Sequence, residues 1–330
     1  MSEASWWHPV ADAAALGEAP LAVTLLGEEL VLWCDGSGAV RAFADRCPHR
    51  GTRLSLGRVC EGLLQCAYHG WRFSGVGECV HIPALPQFKP PASYAATAHA
   101  AMVAYGLVWV KLGDARETDS AGHAGMRVPP FFEAEADVRL RKLLVGPYDV
   151  ATSAPRVVEN FLDMAHFGFV HGGILGDQEH TELPPYEVSL TDQGLHATGC
   201  MAWQPQSNRS ARQGSWVAYE YSVRSPYAAV LSKVPEQQDG FRESIALFIC
   251  PVQPERSRVW FRMAGPDFES SDDDLRAFQH RIFLQDQPVL ESQNPKRLPL
   301  TAGEAHCAAD RSAAAYRRWL TAQKIGFGVC

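Results

Sequence analysis

The sequence has no long apolar run. No segment approaches the roughly eighteen uninterrupted apolar residues of a membrane-spanning helix, so no membrane role is expected. The first twenty residues lack both a basic start and an apolar stretch, so they do not read as a secretory signal. Positive charge is scarce. The formal net charge is −7, and Arg317-Arg318 is an isolated basic pair. Non-specific nucleic-acid binding is not expected on that ground. The nine cysteines are scattered and odd in number, without the spacing of a disulfide framework. A cytoplasmic, reducing location is therefore expected. There is no GxGxxG fingerprint and no flavin-type motif, so any nicotinamide chemistry must reach the chain through another protein. Internal repeats and low-complexity segments are also missing.

What is present begins with size. A chain of 330 residues, 46% of them hydrophobic, suggests two domains with substantial cores. Its most informative stretch is 47–69. Cys47-Pro48-His49 is followed, sixteen residues later, by Cys66-Ala67-Tyr68-His69. A Rieske [2Fe–2S] centre needs two thiolates on one iron and two imidazoles on the other. A structural zinc site accepts the same donors, but zinc fingers usually pair Cys with Cys and His with His. Here each pair is mixed, which favours the cluster. Gly51 and Gly70 follow the two pairs, where tight loops are needed.

Around this stretch, short apolar runs at 21–26, 29–34, 40–43, 62–65, 79–82 and 106–112 alternate with Gly and Asp turns and predict an all-β unit. Cys60 and Cys79 read as ordinary small residues. Residues 114–127 are polar and rich in Gly and Ala, and Pro129-Pro130 follows. This places a first domain at 1–115, a linker at 116–130 and a second domain at 131–330.

The second domain opens with an alternating run at 138–145. A helix is predicted from Pro155, with Val157, Val158, Phe161, Leu162 and Ala165 as its apolar stripe, continuing to His171. His166 and His171 would stand about 140° apart on a regular helix. They can face one ion only if the helix loosens, by a π-bulge or by ending near Gly168. Spacing alone leaves a metal pair and two unrelated histidines equally open. A second helix is predicted over 271–293, capped by Ser271 with Asp272, Asp273 and Asp274 at its positive end. Leu275, Phe278, Ile282, Val289 and Gln293 form its stripe, and Asp286 fills the skipped turn. A carboxylate on a buried stripe is costly unless paired or metal-bound. Pro288 should kink the helix just after it. Strand-like runs at 187–190, 195–203, 215–223, 228–234, 244–251 and 258–264 suggest an antiparallel sheet with one packed face. Residues 204–214 read as a mobile loop, favoured as a plain surface loop with a gate over a pocket as the alternative, and 311–323 as a closing helix.

Cys47-Pro48-His49-Arg50-Gly51, Cys66-Ala67-Tyr68-His69-Gly70-Trp71 and Asn160-x-x-Asp163-x-x-His166-x-x-x-x-His171 resemble the cluster loops and iron-binding segment of the Rieske non-heme iron oxygenases. The segment around Asp286 resembles the family's third-ligand helix, and Tyr316-Arg317-Arg318-Trp319-Leu320 its C-terminus. Nearly the whole chain is covered. The resemblance is closest to the monooxygenase branch of vanillate-type O-demethylases, caffeine-type N-demethylases and alkaloid-type hydroxylases. It implies an α+β chain: an N-terminal all-β Rieske domain, then a helix-grip (START-like) catalytic domain with a curved antiparallel sheet. Thr52 and Tyr68 stand where respiratory Rieske proteins carry an extra disulfide, so that bridge is absent.

The resemblance further implies cluster ligands Cys47, His49, Cys66 and His69, and Fe(II) ligands His166, His171 and Asp286. Asp163 and Asn160 would act beside the iron. Asp163 would orient His166 and use its free oxygen to bridge to His69 of the partner subunit in a homotrimer. The implied activity is that of a terminal oxygenase component. It uses O₂, and electrons from NAD(P)H through a separate reductase or ferredoxin, to hydroxylate or demethylate a small, mostly apolar aromatic or heterocyclic substrate. The alternative is a non-catalytic Rieske electron carrier with a ligand-binding second domain.

Overall fold

The computed structural model describes residues 2–113, 132–238, 240–301 and 303–330. The expected linker at 116–130 lies outside the described residues. The chain divides into two compact units, Ala4–Pro129 and Met1–Glu3 with Pro130–Cys330.

The Ala4–Pro129 unit is all-β. Its strands are β1 (His8–Asp12), β2 (Leu21–Leu25), β3 (Glu28–Cys34), β4 (Val40–Ala44), β5 (Arg58–Cys60), β6 (Leu63–Gln65), β7 (Arg72–Phe73), β8 (Cys79–His81), β9 (Ala98–Ala104) and β10 (Leu107–Lys111). They form a six-stranded sheet, β1-β10-β9-β4-β3-β2, and a four-stranded sheet, β5-β6-β7-β8. Three hairpins, β2–β3, β5–β6 and β9–β10, turn on two residues each: Leu26-Gly27, Glu61-Gly62 and Tyr105-Gly106. All six of these residues have positive φ, the turn whose twist matches paired strands. Val31, Trp33, Phe43, Leu64 and Phe73 pack into one core with Cys47 and Cys66. Each large side chain so buried contributes about 1.5–3 kcal/mol. Sequence reading missed β1, whose Pro9 argues against a strand. β1 lies at the sheet edge, where a proline without an N–H is tolerated.

The larger unit contains β11 (Arg141–Val150), α1 (Ala154–Leu162), α2 (Phe167–Val170), β12 (Glu187–Thr191), β13 (Gly194–Gln204), β14 (Ser215–Ser225), β15 (Ala228–Pro235), β16 (Glu243–Gln253), β17 (Arg256–Gly265), α3 (Asp272–Ser292) and α4 (Arg311–Ala322). One curved antiparallel sheet of seven strands runs β11-β17-β16-β15-β14-β13-β12. α3 packs on β11, and α1 packs on β15, β16 and α4. This is the helix-grip arrangement expected. Among the described residues, no helix is long and apolar enough to cross a membrane.

Four local expectations need correction. The first strand begins at Arg141, not 138; Val138 is 91% exposed. The helix carrying the histidines is broken. α1 ends at Leu162, Asp163 is extended, and α2 is a separate short turn after His166. Residues 204–214 are not simply a mobile surface loop. Gln204, Ser207 and Asn208 are buried, and the Ser207 carbonyl accepts from Lys233. On α3 the buried stripe is Phe278, Gln279, Ile282, Phe283, Asp286 and Leu290, while Val289 is exposed. The helix runs through Pro288 to Ser292, and Ser271 caps its start by accepting from the Asp274 N–H at 3.1 Å.

Candidate metal centres

The first centre is made by two loops of the all-β unit. Each folds in the same way. The Cys47 N–H donates to the Thr52 carbonyl at 2.8 Å, and the Gly51 N–H returns to the Cys47 carbonyl at 2.9 Å. The Cys66 N–H donates to Trp71 at 2.9 Å, and Gly70 returns to Cys66 at 3.1 Å. Gly51 and Gly70 sit at φ of 72° and 71°, a conformation that favours glycine. The paired turns bring four donors together. The Cys47 and Cys66 thiols are in contact. The His49 and His69 rings lie 4.6 Å apart, and His49 stacks on Trp71 at 4.4 Å.

The donor set fits a cluster. Both cysteines are free and buried. His49 Nδ1 is enclosed and meets no hydrogen-bond partner among the described residues, which a ligand role explains. Burial pushes the Cys47 thiol up to about 11, with Cys66 adding to it. A bound cation reverses that preference and holds thiolates. Burial, then His69 and Arg50, lowers the His49 pKa, favouring the neutral imidazole that ligates. The cysteines are inside, whereas His69 is exposed.

The second centre lies in the larger unit. His166 Nε2 and His171 Nε2 are 3.2 Å apart. Asp286 Oδ1 lies 3.4 Å from the first and 3.1 Å from the second. The helix break at Asp163 makes this possible, because one continuous helix would have turned the rings apart. Behind each imidazole stands an acceptor. His166 Nδ1 donates to Asp163 Oδ2 at 3.1 Å, and His171 Nδ1 donates to Gln285 Oε1 at 2.9 Å. With both protons held there, two bare Nε2 lone pairs and a carboxylate converge on one point. Such a cluster repels itself unless a proton or cation sits in it, so a divalent metal fits. Burial alone would lower the His171 pKa, but Asp286 and Gln285 outweigh it and raise it. Asn160 Nδ2 donates to Asp286 Oδ1 at 3.3 Å. The expected free oxygen of Asp163 is in fact engaged: Oδ1 accepts from the Ala165 N–H at 2.7 Å.

An apolar cavity opens beside these three side chains, lined by Phe161, Phe167, Leu231, Leu247, Phe261 and Phe283 among others. A larger cleft, of about 680 Å³, lies elsewhere in the unit, around His196, Glu220 and Arg224, and touches none of the three. Sequence reading missed Gln285, Tyr221, Gln279 and Lys233, which also belong to this site or its cavity. Lys233 left a signal: it shares inward parity with Ala229 and Leu231 on β15.

Comparison with known proteins agrees with this geometry. A Rieske [2Fe-2S] domain model matches residues 6–97. A model of the vanillate O-demethylase oxygenase C-terminal domain matches residues 150–323. Methylxanthine N1-demethylase NdmA of Pseudomonas putida is 32% identical over 321 residues, spanning 96% of this chain and 87% of that protein. Methylxanthine N3-demethylase NdmB of the same organism is 31% identical over 324 residues, spanning 95% and 87%. The solved structure of Pseudomonas putida CBB5 NdmA with caffeine superposes with a TM-score of 0.84 at 31% identity, covering 97% of this chain and 90% of that one. With a Rieske domain ahead of an oxygenase C-terminal domain, the chain belongs to the Rieske non-heme iron oxygenases, as an oxygenase component of the monooxygenase branch.

Proposed function

We propose that this oxygenase acts on a small, mostly apolar aromatic or heterocyclic substrate, by N- or O-demethylation or by hydroxylation. In this reading residues 1–115 form the electron-storing domain and 131–330 the catalytic one. Cys47, His49, Cys66 and His69 hold the [2Fe–2S] cluster, and His166, His171 and Asp286 hold Fe(II). The observation that carries it is the convergence of His166, His171 and Asp286 on the wall of an apolar cavity. A ligand-binding carrier would have no need of that convergence. The similarity to methylxanthine demethylases supports a heterocyclic substrate.

When bound, the cluster stores one electron and the Fe(II) activates O₂ for insertion of an oxygen atom into a C–H bond. The chain's residues set the conditions. Asp163 and Gln285 hold the Nδ1 protons of the two histidines, so that both Nε2 atoms stay available as ligands. Asn160 steadies the Asp286 carboxylate. Phe161, Phe261 and Phe283 give the cavity beside the metal face an apolar wall on which a ring can pack. If the carbon attacked is an N- or O-methyl, the hydroxymethyl product releases formaldehyde.

Electrons come from a separate reductase or ferredoxin. The protein acts in the cytoplasm as a homotrimer, with Asp163 of one chain facing His69 of the partner subunit. The exposure of His69 supports this, as does the position of Asp163, whose Oδ2 already holds the His166 ring. Each carboxylate oxygen keeps a second lone pair for such a contact.

The test is a screen of methylated aromatic and heterocyclic compounds with a surrogate reductase, scored for formaldehyde and substrate-dependent O₂ uptake. Asp286→Ala is expected to abolish turnover and lower iron from about three to about two per chain, with an unchanged cluster spectrum. Normal turnover at full iron occupancy would remove Asp286 from the ligand set.

A further inference from the structure

The metal cavity carries polar groups that the reaction at its iron end does not use. Gln279 precedes Asp286 by two turns of α3, about 10 Å along the helix axis, and lines the same cavity. Lys233, on β15, lines the same cavity. Both also line a second cavity bordered by Asn208, Arg209 and Phe241, so together they form the partition that ends the first. Lys233 is 5% exposed, and Glu243 beside it is 8% exposed. The Lys233 ammonium has three donors. One goes to the Ser207 carbonyl at 2.7 Å and one to Glu243 Oε2 at 2.9 Å. The third has no protein acceptor among the described residues. The buried Gln279 amide also makes no hydrogen bond among them. On the same cavity, the Tyr221 hydroxyl is enclosed with no partner among the described residues. A buried donor without an acceptor is costly until something meets it.

We infer that Lys233, held by Glu243 and flanked by Gln279, is a specificity-determining anchor for a hydrogen-bond acceptor on the substrate edge remote from the iron, and that it selects neutral carbonyl-bearing rings over carboxylates. The sign of the selection comes from Glu243. It balances the ammonium, so that end of the cavity offers donors but no net positive charge. A carbonyl oxygen accepts from Lys233 and Gln279 without loss. A carboxylate would be buried next to Glu243 in a largely apolar cavity, where an uncompensated negative charge is strongly disfavoured.

This inference rests on the proposed oxygenase pocket, but its test reads binding and not turnover. The probes are 4-methoxybenzamide and 4-methoxybenzoate, equal in shape and different in charge, titrated calorimetrically into the iron-loaded protein. Wild type is expected to bind the amide about tenfold or more tightly than the carboxylate. Lys233→Met with Glu243→Gln removes the donor without leaving a buried charge, and should weaken amide binding about tenfold or more. Glu243→Gln alone leaves the ammonium unbalanced and should improve carboxylate binding about tenfold. If the double variant fails to fold, the single variant decides. Equal or tighter binding of the carboxylate by wild type overturns the inference. So does a wild type that binds neither probe, a double variant with unchanged amide binding, or Glu243→Gln without gain for the carboxylate. A protein that shows the amide preference but no substrate-dependent O₂ uptake keeps the anchor and loses the proposed activity. The reverse result does the opposite.

Discussion

His166 and His171 each offer one nitrogen to the metal face and commit the other to an acceptor. The two acceptors differ. Asp163 is a carboxylate near the surface, whereas Gln285 is a neutral amide beside a nearly inaccessible ring. A neutral acceptor is enough to fix the His171 tautomer without placing another charge next to Asp286. Gln285→Leu should therefore lower affinity for mononuclear iron about 10–100-fold while leaving the cluster spectrum intact. Iron content after dialysis against a graded chelator measures it. Unchanged retention would mean that packing alone orients His171.

At the scale of elements, the candidate metal site is framed in part by α1, which carries Asn160. Arg156 and Arg317, both nearly fully buried, interlock with Glu159 and Glu304 across α1, α4 and the preceding chain. Arg156 lies 2.6 Å from Glu304, and Arg317 lies 2.6 Å from both Glu159 and Glu304. The Arg156 guanidinium, reinforced by Arg317, holds the Glu304 carboxyl down to about 2 from its usual 4.5. A depressed carboxylate stabilises the fold above its unfolded pKa and loses that contribution as pH falls through its folded one. Glu304→Gln should therefore lower Tm most above pH 5, and the gap to wild type should narrow as pH falls from about 4.5 toward 2. Removing one partner of a buried ion network costs about 3–5 kcal/mol at neutral pH, and less here because Glu304 is partly exposed. A gap that stays constant across this range would show that Glu304 acts by packing and not by charge.

At the scale of the whole molecule, the proposed trimer has its own test. His69→Ala removes a proposed cluster ligand, and Asp163→Asn removes the proposed bridge. Each should be inactive alone. In mixed trimers, a chain with an intact cluster can stand beside one with an intact Asp163, so some turnover should return. Recovery is read as O₂ uptake in trimers whose composition has been verified. An active monomer, or no recovery in verified mixed trimers, would defeat the inter-subunit route.

The sequence by itself determined the donor types, their order and the class of chemistry. Cysteine and histidine stand two or three residues apart in each cluster loop, and such short spacings are set by local turns whose glycines are visible in the chain. The strands of the large sheet were legible for the same reason, because a period of two is a local property. Asp286 stood out because a carboxylate interrupts an apolar helical stripe. What only the tertiary structure decided lies between residues far apart in sequence. Gln285 reaches His171 across 114 positions, and α1 breaks at Asp163 although its apolar pattern runs on. Lys233 and Gln279 meet at one cavity only because β15 and α3 are packed around it. Periodicity reports which face of an element is buried. It does not report which buried face meets which, and that pairing is where the substrate end of this site is made.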